Sequence, residues 1–435
     1  MKYKNIIVKN VNLMDVINER IINNVDLLIC DGKISEISKD IENNKLKIID
    51  LKGKYLLPGL INLHAHLFGS GKPSKSLTSK SGSQERLLKF IKTKLGNLVL
   101  NKLVKQHLLQ ELRSGTTTIR SVGDFCYSDV TQRDAINSGK YLGPTLYCSG
   151  FAITAPTGHG DGTFAKSAST QVGFEKLIDE NIAHQVDWIK LCTTGGVMDA
   201  TKIGDCGALK MTSEETKWCV EYAHAKGYRV CSHIEGEDGM IVGITSGLDT
   251  IEHGAHITDE FFVDEIDANS EKYKRTSLVT TLSPAVPFSM LDKDLTQCDE
   301  IQKANADIVC SGIITCAKHA LKNGVNVGLG TDASCPFAFQ YGMWRELAYF
   351  HKYVGVSNSY AIKTATIINA FILEKDQEIG SLEVGKYFDA FVVEEDPFIN
   401  LKALANPLMV FKHGKVTKKK NHKNKKYEEI LDKLI

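Results

Sequence analysis

Six residues of this 435-residue chain stand where apolar runs stop and where they could do chemistry. Leu63-His64-Ala65-His66 closes a run that begins at Gly59. On a strand, residues two apart face the same side, so both imidazoles can aim at one point. Neutral imidazoles that converge in this way suit a borderline metal such as zinc. Lys190 stands inside Val186-Asp187-Trp188-Ile189-Lys190-Leu191, where burying an unpaired ammonium is costly. Either this lysine lies at a surface edge or in a salt bridge, or its neutral amine has reacted with carbon dioxide. The resulting carbamate is an anionic oxygen ligand able to bridge two metals. Cys231-Ser232-His233, Ile251-Glu252-His253-Gly254 and Gly330-Thr331-Asp332 end three further runs. A lone buried histidine is ordinarily satisfied by a hydrogen bond in the core. Four histidines, a lysine and an aspartate at five strand ends of one barrel converge on its mouth, and there they point to a metal centre.

These residues meet only if the chain brings the runs together. Apolar, β-branched runs recur at Gly59–His66, Thr116–Val122, Thr145–Gly150, Trp188–Thr193, Tyr228–His233, Thr250–His253, Leu278–Leu282 and Val325–Thr331. Amphipathic stretches lie between them, among them Glu85–Leu112, Thr212–Lys226, Gly239–Ser246 and Asn305–Asn323. Eight strands alternating with helices form an open doubly wound sheet or a closed parallel barrel. No G-x-G-x-x-G follows an early strand, which weakens the dinucleotide-binding version. Eight repeats favour an α/β fold of the (β/α)8, TIM-like barrel type, with its chemistry at the C-terminal strand ends. The two chain ends have another rhythm, with short alternating runs around Asp31-Gly32, Lys52-Gly53 and the glycines of 379–415. They predict a small β-sandwich domain from residues 1–58 and 379–421, a barrel over 59–378 and a tail helix in 422–435. The Lys-rich stretch 415–426 reads as a solvated terminus.

Lys+Arg 53 against Asp+Glu 52 leaves a formal charge of +1. That balance gives no electrostatic reason to expect nucleic acid or an anionic membrane as partner. The opening residues alternate like a strand and lack a signal peptide's apolar core. No run approaches the ~18 apolar residues of a membrane helix. The expectation is a soluble, cytoplasmic protein. Eleven cysteines without C-x-x-C spacing read as reduced thiols, with Cys148, Cys192 and Cys231 as small core residues.

Leu57-Pro58-Gly59-Leu60-Ile61-Asn62-Leu63-His64-Ala65-His66, Gly115–Arg120 and Gly385–Val393 followed by Asp396-Pro397 together resemble the amidohydrolase superfamily over nearly the whole chain. Thr157-Gly158-His159-Gly160 and Ile251–Gly254 resemble its imidazolonepropionase-like branch, which includes dipeptidases that release a C-terminal residue. The resemblance implies two divalent ions, zinc above all. His64, His66 and Asp332 would hold the more buried ion, His233 and His253 the more exposed one, with Lys190, carboxylated by CO2, bridging. It implies hydrolysis by a bridging hydroxide, with Asp332 passing a proton to the leaving nitrogen. By the same likeness His159 contacts the substrate's carbonyl or carboxylate; otherwise it caps its Gly-rich loop. A small-molecule substrate, either a dipeptide or an N-acyl amino acid, and a homo-oligomer belong to the same implication. Two other readings stand beside it. One is a hydrolase of cyclic amides in the imidazolonepropionase manner. The other is a non-catalytic scaffold, against which the filled ligand positions argue. Glu235 occupies the place where some peptidase members carry a carbonyl-polarising tyrosine. Arg120 is placed either to clamp a carboxylate or to pair with Asp124 or Asp187. The loops Phe68–Ser83, Thr154–Lys166 and Val197–Leu209 are expected to shape the pocket.

Overall fold

The structure, a computed structural model, describes residues 5–42, 45–73, 82–257, 276–417, 421 and 423–435. Five strands open the chain: β1 (Ile6–Asp15), β2 (Arg20–Cys30), β3 (Lys33–Ser38), β4 (Lys47–Asp50) and β5 (Tyr55–Pro58). β1, β2 and β3 form antiparallel hairpins. Asp31 and Gly32 join β2 to β3 with φ of 48° and 82°, as a tight turn matching the strand twist requires. β5 runs parallel to β1 and antiparallel to Ala390–Val393, which is followed in the sheet by Met409–Lys412 and Lys415–Thr417. Both chain ends therefore share one eight-stranded sheet, packed around Val8, Leu27, Ile29, Leu56, Phe388, Val392 and Phe411.

The middle of the chain contains β6 (Leu60–Ala65), β7 (Thr116–Ser121), β8 (Thr145–Tyr147), β9 (Ala152–Thr154), β10 (Ala165–Ser167), β11 (Trp188–Cys192), β12 (Arg229–Ile234), β13 (Thr250–His253), β14 (Ser277–Thr280) and β15 (Val327–Leu329). β6, β7 and β8 make one parallel sheet, and a seven-stranded parallel sheet runs β10-β9-β11-β12-β13-β14-β15. Backbone hydrogen bonds link the two on both flanks. Trp188 N–H donates to Cys148 O (3.1 Å), Asp332 N–H to His64 O (2.8 Å) and His66 N–H to Ala333 O (3.0 Å). Parallel strands buried on both faces need apolar side chains at nearly every position, not at alternate ones. β6, β7, β11 and β13 are buried throughout, β7 despite its Thr, Arg and Ser side chains.

Each of the eight expected runs overlaps a parallel strand. The third stops early, at Tyr147: Gly150 (φ 64°) accepts the Asp124 N–H at 2.8 Å, and pairing resumes only at β9. The expected helix Glu85–Leu112 is two helices, Gly82–Ile91 and Lys94–Arg113. Thr93 adopts an extended backbone and caps the second helix by accepting the Gly96 N–H at 3.1 Å. A capping box of Asp299 and Gln302 starts the last long helix at Glu300 instead of Asn305. Within the stretch expected to be solvated, Asn421 Nδ2 donates to Gln110 O at 2.7 Å, and the helix that follows is docked. Leu431 packs with Phe337, Phe339 and Tyr341, and Arg345 pairs with Glu428 (3.1 Å) and Asp432 (2.8 Å). Cys148, Cys192 and Cys231 are buried without disulfides, and burial pushes the Cys192 thiol up to about 12. Among the described residues no helix is long and apolar enough to cross a membrane.

Candidate metal centre

Strand register decides which side chains meet. Cys192, His233, Glu252, Val279 and Gly328 form one row across β11–β15, and Lys190, Cys231, Thr250 and Ser277 form another, two residues earlier on each strand. Alternation turns both rows to the same side. His253 follows Glu252 and would face the other way, beside Ile234. Its φ of 73° breaks the alternation. The ring thereby comes to 4.7 Å from His64 and 4.5 Å from His233, centroid to centroid. A left-handed backbone at such a residue costs about 1–3 kcal/mol and is tolerated where the surroundings enforce it. Asp332 is also left-handed, at φ 48°.

Each clustered imidazole is fixed through one nitrogen. His64 Nδ1–H donates to Glu252 Oε2, His66 Nδ1–H to Gly123 O and His233 Nε2–H to Gly195 O, all at 2.7 Å. His253 Nδ1 shares a hydrogen bond with Thr281 Oγ1 at 2.6 Å. Carbonyl oxygens only accept, so in His66 and His233, whose rings burial keeps neutral, these bonds set the tautomer and leave a lone pair on the opposite nitrogen. Burial holds His66 below the ordinary imidazole range and His233 and His253 well below it. Burial also raises the Asp332 carboxyl, but its contacts with His64 and His66 outweigh this and hold it well below the carboxylate range. His64 Nε2 and His66 Nε2 lie 3.4 and 3.3 Å from the same Asp332 oxygen. The His66 ring, held below the ordinary range by burial and donating through Nδ1 to Gly123 O, has no proton to place there. A cation is the group that such lone pairs and a carboxylate accept together.

Lys190 is buried inside its strand, and Nζ has no hydrogen-bond partner among the described residues. Two groups of ligand atoms lie within 4.8 Å of one another: His64, His253 and Asp332, and His233, Glu235 and His253. His64, Lys190, His233 and His253 lie on β6, β11, β12 and β13, His66 and Asp332 lie just beyond the ends of β6 and β15, and all six are buried. His159 is there too. Its ring stacks on His233 (4.2 Å, 20°) and turns an edge to Phe164, while Nδ1 pairs with Asp199. The loops 154–166 and 197–209 therefore reach the cluster, whereas 68–83 extends beyond the described residues after 73.

Arg120 is fully buried and contacts neither Asp124 nor Asp187. Nη2 donates to Glu252 Oε1 (2.7 Å), Nη1 to Thr250 Oγ1 (3.0 Å) and Nε to Leu63 O (2.7 Å). Asp187 pairs instead with Arg133, and Asp124 accepts from Leu67, Phe125 and Ser128. Burial would raise the Glu252 carboxyl, but Arg120 and His64 hold it well below the usual range. Sequence reasoning missed this hub. The signal was present: an arginine and a glutamate, each inside an apolar strand, must find opposite charges.

The fold and site define an α/β protein with a histidine–carboxylate cluster at the C-terminal ends of parallel strands. The chain belongs to the amidohydrolase family, whose profile matches residues 55–417. It is similar to ochratoxinase of Aspergillus niger, 25% identical over 341 residues, with 71% of this chain and 67% of that one covered. Dihydroorotase of Elusimicrobium minutum is 23% identical over 387 residues, 88% and 82% of the two chains. Among solved structures, a candidate prolidase from Bifidobacterium longum superposes over 100% of both chains with a TM-score of 0.85 and 30% identity. A Xaa-Pro dipeptidase with bound methionine in its active site covers 96% of this chain and 100% of its own, at TM-score 0.82 and 27% identity.

Proposed function

We propose that this chain is a binuclear, zinc-dependent hydrolase that cleaves the amide bond of dipeptides or N-acyl amino acids. The supporting observation is the set of lone pairs around Asp332, beside the buried, unpartnered amine of Lys190. His64, His66 and Asp332 would hold one ion, and His233 and His253 the other. Lys190 would join them as a carbamate: its neutral amine attacks CO2, an N–C bond forms and one proton leaves. Bound there, two divalent cations supply Lewis-acid polarisation and favour deprotonated water near neutral pH.

The chain's own residues supply the rest. Asp332 accepts the proton of the attacking water at a carboxylate oxygen and returns it to the leaving nitrogen. His159, tied through Nδ1 to Asp199, offers Nε2 to the substrate's carbonyl or carboxylate. Phe68 and Phe164 contact the His66 ring and keep water off that side. In this reading the strands β6, β7, β8 and β11–β15 form a closed (β/α)8 barrel over residues 59–378. Residues 1–58 and 379–421 form the β-sandwich, and 422–435 the tail helix. The full-length likeness to a Xaa-Pro dipeptidase structure favours linear substrates, and the likeness to a dihydroorotase keeps cyclic amides as the second reading.

The test is metal content of protein purified without chelator, beside Lys190→Ala. About two zinc ions per chain, falling to one or none in the variant, are expected, since ligand loss costs metal affinity steeply. One ion in both proteins overturns the bridged site. A panel of dipeptides, N-acyl amino acids and cyclic amides then separates the two substrate readings.

A further inference from the structure

Glu235 follows His233 by two residues at the end of β12, so both side chains face the cluster. Its side chain is 8% exposed, and Oε2 has no hydrogen-bond partner among the described residues. A buried carboxylate oxygen left unpaired is costly, and native structures avoid it unless something else fills the gap. Lys190 Nζ, also unpartnered in this centre, forms no hydrogen bond with it. Glu235 Oε2 instead lies 3.8 Å from His233 Nε2, the nitrogen bound to Gly195 O, and a Glu235 oxygen, a His233 nitrogen and a His253 nitrogen all stand within 4.8 Å of one another. Two imidazoles and a glutamate are a complete protein ligand set for a catalytic zinc that keeps a position open.

Resting on the two-ion reading above, we infer that Glu235 is a ligand of the more exposed ion, alongside His233 and His253. The residue therefore does not stand in for a carbonyl-polarising hydroxyl. It adds a negative charge to the centre and fixes the exposed ion at the loop side, where Gly195 O already orients His233.

Glu235→Gln keeps the shape of the side chain and removes its charge. Chelator-stripped wild type and variant would be titrated with Co2+ and followed by visible absorption, with thermal unfolding as a check that both are folded. The expected result is two equivalents bound by wild type. In the variant the first equivalent is unchanged, and the second binds at least ~10-fold more weakly with an altered spectrum. Two equivalents bound by the variant with wild-type affinity and spectrum overturn the assignment. The same outcome with a raised KM only for substrates bearing a free α-amine also overturns it, and makes Glu235 a substrate contact. If wild type binds a single equivalent that the variant loosens, the two-ion reading fails and Glu235 remains a ligand. A single equivalent bound equally by both overturns both.

Discussion

Glu111, on the helix Lys94–Arg113, is reached by Asn62 Nδ2 at 3.2 Å, and Asn62 Oδ1 in turn accepts the N–H of Thr331 and of His64. Burial pushes the Glu111 carboxyl up to about 8, against the smaller pull of Thr116 and Asn62. The sign of its effect follows. Between the ordinary carboxyl range and about 8, the unfolded chain has lost this proton and the folded chain keeps it. Stability from this group is therefore complete in acid and declines as pH rises through that window, by up to about 1.4 kcal/mol per unit. Urea unfolding at several pH values should show that decline in wild type and a flatter profile in Glu111→Gln. Equal slopes would mean that the folded chain holds Glu111 ionised. At this scale the sequence was readable where a residue ends its own apolar run, as His64, His233 and Asp332 do. It was opaque where the partner is set across the fold. Nothing near Arg120 in sequence announces Glu252, and nothing near His253 announces Thr281.

Elements were legible in kind and blurred at their ends. The eight apolar runs marked eight parallel strands because burial on both faces demands continuous apolarity. Their limits depended on local hydrogen bonds that periodicity does not see, such as the Gly150 turn and the Thr93 cap. The helix Lys425–Leu431 is the instructive case, since its lysines suggested solvent. Its acidic face instead meets Arg345, only 5% exposed at the side chain. Behind that contact lies the loop in which Gln340 Nε2 donates to His66 O and the Phe337 N–H to Gly71 O. Glu428→Ala removes one of the two carboxylates on Arg345. A hydrogen bond to a charged group contributes about 1.5–3 kcal/mol, and the remaining Asp432 softens the loss to about 1–2 kcal/mol. Denaturant unfolding should register that loss, and limited proteolysis should release residues 423–435 faster. No change in either measurement would show that the tail is held without this pair.

The whole molecule depends on how the terminal sheet meets the parallel strands, a junction no single segment of sequence displays. Asp389 and Lys412 come from the end of the chain, are both 4% exposed at the side chain and form an ion pair there. Lys412 Nζ also donates to Thr145 Oγ1 of β8 at 2.7 Å, so one buried ammonium ties the two sheets together. The Asp389 carboxylate additionally accepts the His413 N–H at 2.7 Å. Burial lowers the Lys412 pKa although Asp389 opposes it. Removing one partner of such a pair costs about 3–5 kcal/mol because the other charge stays buried, whereas replacing both with apolar groups is often neutral. Asp389→Asn should therefore lower the unfolding midpoint strongly, and the double variant Asp389→Leu, Lys412→Met should recover most of the loss. Calorimetry should show a single transition in wild type, since a shared buried charge couples the two sheets. A double variant as unstable as the single one would place the damage in packing or in the lost His413 contact, and the junction would then owe little to its charge pair.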